Sequence, residues 1–254
     1  MHSHSPDAPV WYFAYGCNMS SAKFTGGRGL VPLDTARVRL PNWVLAMEIP
    51  GLPYAEPSFA SIVPRPFAHL EERRAPDVVG VAYLITPAQY RHVIASEGGG
   101  TAYTDLCLDG ERIDGKDGDD NDNTEKEKSR LGIRVRTLGS AMSRHPHPNP
   151  SQRYMSLIVD GASEAHLPRD YLDYLASMPV FTPSESPWTR LGATIFVFFG
   201  RPIMQAIEKL TNKSIRPDGT ATAWAVFIVR LTMYLLWLFH DFLFAPIFGR
   251  GDGL

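Results

Sequence analysis

The sequence predicts an α+β protein that ends in a hydrophobic helical extension, and three patterns carry this prediction. The apolar, β-branched runs Val10–Ala14 and Val78–Ile85 are typical of buried strands. Thr86 followed by Pro87 is a typical helix start, because threonine caps a helix N-terminus and proline fits the first helical turn. Residues 221–248 are rich in Phe, Trp, Leu and Ile, which predicts a helix that is apolar over most of its surface.

Composition and charge exclude several classes of protein. The chain has 254 residues and a formal net charge of −2, so no strong electrostatic field for nucleic acid is expected. Its two cysteines, Cys17 and Cys107, exclude a disulfide scaffold and favour a reducing, cytoplasmic setting. Residues 1–9 are expected to be flexible, and they have neither the basic start nor the apolar run of a signal peptide.

The other predicted elements follow from apolar periodicity. Two helices are expected, from Pro87 to Glu97, where three glycines end the helix, and over residues 168–178. The remaining strand candidates are residues 36–48, 59–64, 103–108, 133–138 and 155–159.

An acidic segment at residues 109–130 interrupts this pattern. It is rich in charged residues, Gly and Asn and nearly free of apolar residues, which predicts a disordered loop. Part of the segment has calcium-loop spacing. However, Asp122 stands where the EF-hand loop needs glycine, and Lys128 stands where it needs a closing acid. Disorder is therefore expected rather than calcium binding.

Two features are candidates for a functional site. The first is the run Tyr-Phe-Ala-Tyr-Gly-Cys-Asn-Met at residues 12–19, a strand that enters a glycine turn. Such a turn exposes backbone N–H groups that bind carboxylates, although the pattern also fits a core strand with a tight turn. The second is Glu97 at a helix end, a position where a glutamate is also commonly just solvated.

In four places, and in the same order, the chain resembles the γ-glutamylcyclotransferase family. These places are the loop at 12–19, the strand Ala-Ser-Ile-Val-Pro at 60–64, the strand at 79–83 with its Thr-Pro helix, and Ser-Glu-Gly at 96–98 with Tyr103 five residues on. The resemblance covers residues 10–178 and implies a small, mixed β-barrel with packed helices. The first and last motifs together are specific, whereas either one alone is not.

The resemblance also implies which residues act. Glu97 would be the proton acceptor and the catalytic residue. The γ-glutamyl substrate would be bound by Tyr12, Phe13, Ala14, Tyr15, Gly16, Cys17, Asn18 and Tyr154. Cys17 departs from the family, which usually has serine there. We interpret it as a binding residue, and a cysteine nucleophile paired with a histidine is the alternative.

By this resemblance the chain is an enzyme that cyclises a γ-glutamyl group to 5-oxoproline and releases an amine, amino acid or peptide. No cofactor is expected. No metal is expected either, and His145 and His147, next to prolines, are interpreted as a polar loop. Two alternatives remain open: a catalytically inactive module that binds γ-glutamyl ligands, and a γ-glutamylamine cyclotransferase. The C-terminal extension is similar to that of fungal members, some of which trim glutathione conjugates during the assembly of sulfur-bearing toxins.

The apolar C-terminal part has two interpretations. Arg230 lies in the middle of residues 221–248 and disfavours a membrane span, so helices that pack on the domain or lie in a membrane interface are preferred. Membrane-surface contact or self-association through residues 191–248 is therefore expected. The predicted organisation is a flexible start at 1–9, a catalytic domain at 10–178, a linker at 179–190 and the extension at 191–254.

Overall fold

The computed structural model describes residues 8–70, 72–113 and 132–254. Its strands are β1 (Val10–Ala14), β2 (Asp34–Leu40), β3 (Trp43–Leu52), β4 (Glu56–Pro64), β5 (Val78–Ile85), β6 (Tyr103–Arg112) and β7 (Gly132–Ser140). Its α-helices are α1 (Pro87–Ser96), α2 (Gln152–Glu164), α3 (Arg169–Ser177), α4 (Pro187–Ser214), α5 (Ala223–Phe239) and α6 (Ala245–Phe248).

Five of the strands form a closed barrel in the order β1-β5-β2-β6-β7. Neighbouring strands are antiparallel except at the closure, where β1 runs parallel to β7 and Tyr12 lies opposite Arg136. Gly80 lets β1 and β5 approach closely, because a Cβ there would lie 2.2 Å from the carbonyl oxygen of Ala14. The predicted α+β class with a mixed β-barrel is confirmed.

The strand predicted over residues 36–48 is wrong, because the chain turns there and forms β2 and β3 instead. Asn42 takes a left-handed backbone conformation with φ of 64°, which asparagine tolerates better than most residues. Strand β3 then pairs with β4 in a separate hairpin. Strand β4 includes the predicted run 59–64 and begins three residues earlier, at Glu56.

Helix α1 follows the prediction closely. Thr86 accepts a hydrogen bond from the backbone N–H of Gln89, and the Gln89 side chain accepts one from the N–H of Thr86, so a complete capping box starts the helix. Glu97 is the C-cap, and Gly98, Gly99 and Gly100 all have positive φ. The left-handed glycine turn therefore ends α1 at the predicted place.

The acidic segment is shorter than predicted. Strand β6 continues to Arg112, because residues 109–111 pair with β7 while Glu111 and Arg112 pair with β2. Pairing along both edges overrides the polar composition of this stretch, so the loop prediction is wrong for residues 109–112. The rest of the predicted loop, with its partial calcium spacing, lies outside the described residues.

Residues 155–159, predicted as a strand, lie inside helix α2, so that prediction is wrong. A short apolar run does not distinguish strand from helix, and here the buried residues Tyr154, Met155, Ile158 and Ala162 repeat at helical spacing. Ser151 caps the helix by accepting from the N–H of Tyr154 at 3.0 Å. Helix α3 confirms the prediction for residues 168–178 within one residue at each end.

The C-terminal helices pack against the hairpin and against the turn after α1. Helix α4 begins at Pro187, so the predicted linker 179–190 is four residues too long. Trp237 of α5 donates from Nε1 to the carbonyl oxygen of Gly51 at 3.0 Å. Arg230 donates to the carbonyl oxygens of Thr101 and Gly100 at 2.9 and 3.1 Å. The guanidinium of Arg230, in the middle of α5, therefore faces the turn after α1.

The opposite face of these helices is apolar and exposed. Its largest side chains include Phe198, Phe199, Phe227, Tyr234 and Phe242. The continuous helical run Ala223–Phe248 has 26 residues and is long and apolar enough to cross a membrane by length and composition. Core helices and membrane spans share this length and this apolar composition, so neither property tests the predicted membrane-surface contact.

Removing the buried indole of α5 tests how the extension is held. We expect Trp237→Ala to lower the free energy of unfolding by about 3–5 kcal/mol, because a large core side chain is lost and the carbonyl group of Gly51 loses its donor. Trp224→Ala on the exposed face is the matched control and should change it by about 0.5 kcal/mol or less. Urea denaturation of both variants measures the difference, and equal effects would contradict the packing described here.

Candidate active site

The loop after β1 forms one wall of a small pocket. Backbone N–H of Met19 donates to the carbonyl oxygen of Gly16 at 3.0 Å, which closes a single 3-10 turn over Cys17–Met19. The side chain of Met19 is buried, and the phenol of Tyr83 donates to its carbonyl oxygen at 3.0 Å. Gly161 of α2 lets the helix pack against this turn, because a Cβ there would lie 2.8 Å from the backbone nitrogen of Ser20. The loop is therefore fixed from two sides.

Asn18 joins this loop to the end of α1. Its amide nitrogen Nδ2 donates to the phenolic oxygen of Tyr12 at 2.9 Å and to Oε1 of Glu97 at 3.0 Å. Both side-chain amide hydrogens are thereby used on oxygens that come from different elements of the fold. The structure thus brings together Tyr12, Asn18 and Glu97, as the sequence predicts.

Arg28 is a member of this cluster that the sequence analysis missed. Its guanidinium forms an ion pair with Oε1 of Glu97 and donates to Oδ1 of Asn18 at 3.0 Å. It also donates to Oγ of Ser96. The contact joins residues 69 positions apart, so no local spacing reveals it. Among the described residues, no hydrogen bond reaches Oε2 of Glu97, which leaves that oxygen for a ligand.

The pocket is small, with a volume of about 30 Å³. Its lining combines one carboxylate, one amide, one thiol and several phenols with small apolar groups. The lining residues are Tyr12, Tyr15, Gly16, Cys17, Asn18, Ala60, Glu97, Tyr103, Leu138 and Tyr154. Six of the eight residues predicted to bind substrate, together with the predicted catalytic residue, lie in this one place.

Three tyrosines fix the pocket walls to backbone groups. The phenolic oxygen of Tyr154 accepts from the N–H of Ala60 at 3.1 Å, and Tyr103 donates to the carbonyl oxygen of the same residue at 3.2 Å. Tyr15 donates to the carbonyl oxygen of Leu138. Helix α2 carries Tyr154 to the pocket, although the run just after this residue was predicted as a strand.

Burial keeps the pocket phenols protonated. Desolvation is the main cause that raises the pKa of Tyr12, Tyr15, Tyr103 and Tyr154 well above the ordinary value of a tyrosine. Because an uncharged phenol keeps its hydrogen, each of these groups remains a hydrogen-bond donor at neutral pH. Tyr15 and Tyr103 already give their hydrogens to backbone carbonyl oxygens. The phenols of Tyr12 and Tyr154 act as acceptors in the structure, so their own hydrogens are left for a ligand beside the carboxylate.

Phe13 and Ala14 do not line this pocket, contrary to the sequence prediction. Successive side chains of a strand point to opposite faces, so the ring of Phe13 points away from Tyr12 and into the barrel core beside Gly80. Ala14 is buried in the same core. Neither residue is among the described residues that line the pocket.

Cys17 lines the pocket without a base beside it. Its Sγ lies 4.0 Å from Oδ1 of Asn18, and this is the only hydrogen bond of the thiol within the described part of the chain. A nucleophilic cysteine needs an activating partner, usually an imidazole. No histidine is among the described residues that line the pocket. This geometry favours a binding role for Cys17 over the nucleophilic alternative.

Comparisons with known proteins identify the family of this chain. The chain is 38% identical over 259 residues to γ-glutamyl cyclotransferase aclK of Aspergillus oryzae, an alignment that covers 98% of this chain and 92% of the relative. It is 35% identical over 260 residues to γ-glutamyl cyclotransferase gliK of Aspergillus fumigatus, which covers 98% and 91%. This chain belongs to the γ-glutamyl cyclotransferase family. The resemblance in its four motifs, and with it the expectation of an enzyme, is confirmed.

Two family models match separate parts of this cyclotransferase family member. The model of the AIG2-like family matches residues 113–175, and the model of the AclK C-terminal domain matches residues 186–247. The second match contains the whole of α4 and the whole of α5. A domain model thus exists for the region predicted here as a hydrophobic extension.

The barrel has a counterpart among solved structures. The crystal structure of the uncharacterized protein loc79017 from Homo sapiens superimposes with a TM-score of 0.51 at 18% identity, covering 70% of this chain and 94% of that protein. At this identity the likeness concerns the fold alone. The likeness covers 70% of this chain, so part of the chain has no counterpart in that structure.

Proposed function

We propose that this chain converts a γ-glutamyl group to 5-oxoproline by intramolecular cyclisation and releases the amine portion. The observation that carries the proposal is the Glu97 carboxylate, which lies 3.0 Å from Asn18 in a pocket of neutral phenols. The names of the relatives give them the same activity. A single carboxylate beside neutral donors suits a reaction that needs one proton carrier and a binding site for a carboxylate.

The chemistry follows from the geometry of the substrate. The α-amine of a γ-glutamyl group attacks the carbonyl carbon of its own amide, a new C–N bond closes the five-membered ring, and the old amide C–N bond breaks. Holding the folded-back conformer supplies up to about 7–11 kcal/mol, as in well-oriented intramolecular reactions. Oε2 of Glu97 takes one proton from the α-ammonium so that the free amine can attack, and the ring nitrogen loses a second proton once the new bond has formed. Both protons end on the leaving nitrogen, one of them delivered by Glu97, so the amine departs as an ammonium ion and the carboxylate is regenerated.

Binding requires a change around Arg28. The guanidinium of Arg28 is paired with the carboxylate of Glu97 and occupies the side that faces Asn18. We propose that the substrate ammonium replaces this ion pair at Glu97. Arg28, the N–H groups of the loop and the hydroxyl hydrogens of Tyr12 and Tyr154 are then available to the α-carboxylate and to the oxygen that gains charge during attack.

A second cavity suits the leaving portion. It has a volume of about 300 Å³ and shares Glu97, Tyr103 and Leu138 with the pocket. Its other walls include Thr220 and Arg230 of the C-terminal extension. Glu97 thus lies between a small site for the γ-glutamyl head and a larger site for the departing amine. The larger site favours a peptide-sized leaving group, and we propose glutathione or a glutathione-derived conjugate as substrate.

Glu97→Gln tests the proton transfer. The variant keeps the size of the side chain but cannot accept a proton, so release of 5-oxoproline should fall by about 10²- to 10⁴-fold in kcat/KM. Mass spectrometry of 5-oxoproline measures this on γ-glutamyl dipeptides, glutathione and glutathione S-conjugates. We expect the wild-type chain to act best on the conjugates or on glutathione.

Two control variants accompany this test. Glu208→Gln removes the same charge from the exposed side of α4 and should leave the activity unchanged. Cys17→Ser restores the residue that is usual in the family and should retain activity, whereas a nucleophilic cysteine would make this variant inactive. Full activity of a folded Glu97→Gln chain would remove Glu97 from the mechanism.

We also propose that the exposed face of α4 and α5 rests on a membrane surface. An apolar face of this size, with Phe198, Phe199 and Phe242 exposed, favours contact with a partner. Helix α4 carries four basic residues and one acidic residue, which suits anionic lipid headgroups. Anchoring there places the enzyme at a cytoplasmic membrane surface without a span, since Arg230 is bound to the domain.

Co-sedimentation with phosphatidylserine-containing vesicles tests this contact. The wild-type chain should sediment with the vesicles, and a Phe198→Ser, Phe199→Ser, Phe242→Ser triple variant should remain in the supernatant with its activity intact. Leu70→Ser is the matched control, because it changes an exposed residue outside the extension. Phe59→Ser is unsuitable, because the ring of Phe59 contacts Tyr154 at the pocket. A wild-type chain that dimerises and ignores vesicles would show self-association instead of lipid binding.

A further inference from the structure

Three histidines from distant parts of the chain meet in one cluster. His69 follows β4 and the short turn after it, while His145 and His147 follow β7. The ring centroids lie 4.6 to 4.7 Å apart, and one ring nitrogen of each residue lies within 4.8 Å of the corresponding nitrogens of the other two. The sequence analysis expected His145 and His147 to form a polar loop. His69 lies 76 positions from His145, so no local spacing predicts that it joins this cluster.

The hydrogen bond of His147 aims its other ring nitrogen into the cluster. Nδ1 lies 2.7 Å from Oε1 of Glu72, and since a carboxylate accepts, Nδ1 carries the hydrogen. The lone pair is then on Nε2. That atom is buried and has no hydrogen-bond partner among the described residues. A buried nitrogen without a partner is uncommon and calls for an explanation such as an ion.

The other two histidines present a donor pair of the same kind. Nε2 of His69 and Nδ1 of His145 lie 2.7 Å apart and share one hydrogen. A cation is able to replace that hydrogen and bind both nitrogens at once. The other histidine and carboxylate cluster, His240 with Asp241 and Asp252, lacks this feature. Nδ1 of His240 is bonded to Asp241, and its Nε2 accepts from the N–H of Gly251 at 3.1 Å.

We propose that His69, His145 and His147 bind one Zn²⁺ ion, with Glu72 holding His147 in the ligating orientation. The ligand atoms are Nε2 of His69, Nδ1 of His145 and Nε2 of His147. Zinc accepts three imidazoles at about 2.0–2.1 Å in a tetrahedral arrangement with one open position. Small rotations of the exposed rings of His69 and His145 suffice to reach it, and a carboxylate behind a ligating histidine is the usual support for such a site.

The histidine cluster borders a cavity from which the open position would be reached. His69, Glu72 and His147 line a space of about 740 Å³, whose other walls include Met47 and Tyr174. Water or an external donor entering this cavity completes the coordination. Among the described residues, none lines both this cavity and the pocket of Glu97. The metal site is therefore separate from the cyclisation chemistry, and its loss and the loss of that activity are distinguishable.

Isothermal titration of the untagged, full-length chain with Zn²⁺ after EDTA dialysis tests the proposal. His2 and His4 are replaced by glutamine in every sample, so that the N-terminal histidines do not contribute. We expect one Zn²⁺ per chain. His147→Gln should abolish this binding, and Glu72→Gln should weaken it about 10- to 100-fold. Co²⁺ added to the wild-type chain should give the intense visible absorption of a tetrahedral site. This measurement does not depend on whether any variant folds.

His92→Gln is the matched control, because His92 is an exposed histidine of α1 outside the cluster. This variant should bind Zn²⁺ as the wild-type chain does. Circular dichroism confirms that each variant is folded. The proposal is overturned if the wild-type chain binds no Zn²⁺ and gives no tetrahedral Co²⁺ spectrum, or if His147→Gln and His92→Gln change the affinity equally.

Discussion

Two hydrogen bonds from the amide of Asn18 hold the proposed active site together. They run to Tyr12 at 2.9 Å and to Glu97 at 3.0 Å, across 79 positions of sequence in the second case. Only an amide meets the requirements at this position, because it donates twice and also accepts from Arg28 at 3.0 Å. An aspartate there would place a second negative charge against Glu97. The barrel matters to function because it brings the end of β1 beside the end of α1.

The C-terminal extension contacts the glycine turn that follows Glu97. Gly98, Gly99 and Gly100 end α1 in left-handed conformations, and these fix the direction in which Glu97 leaves the helix. The extension clamps this turn: the N–H of Ala221 donates to the carbonyl oxygen of Gly99 at 2.7 Å, and Arg230 binds that of Gly100. A part of the chain that lies outside the barrel therefore contributes both to the position of the proposed base and to the wall of the larger cavity.

Local chemistry made half of this site predictable. The Thr86 cap, the proline after it and the glycines after Glu97 determine one helix and its end, so its prediction needed no tertiary information. The strand at β1 and its glycine turn were equally local. Predictions failed where distant partners decide. Residues 155–159 are apolar enough for either a strand or a helix. The helix is selected by packing of Gly161 against the loop after β1. Arg28 and His69 were missed because their partners lie 69 and 76 positions away.

The central claim is that Glu97 assists an attack by the substrate on itself, with no water in the bond-making step. Turnover of a γ-glutamyl substrate by the full chain in H₂¹⁸O tests it most directly, because cyclisation keeps the original amide oxygen. Mass spectrometry should find 5-oxoproline without solvent ¹⁸O, in a one-to-one ratio with the released amine. Glutamate that carries one ¹⁸O as the main product would show hydrolysis and contradict the account.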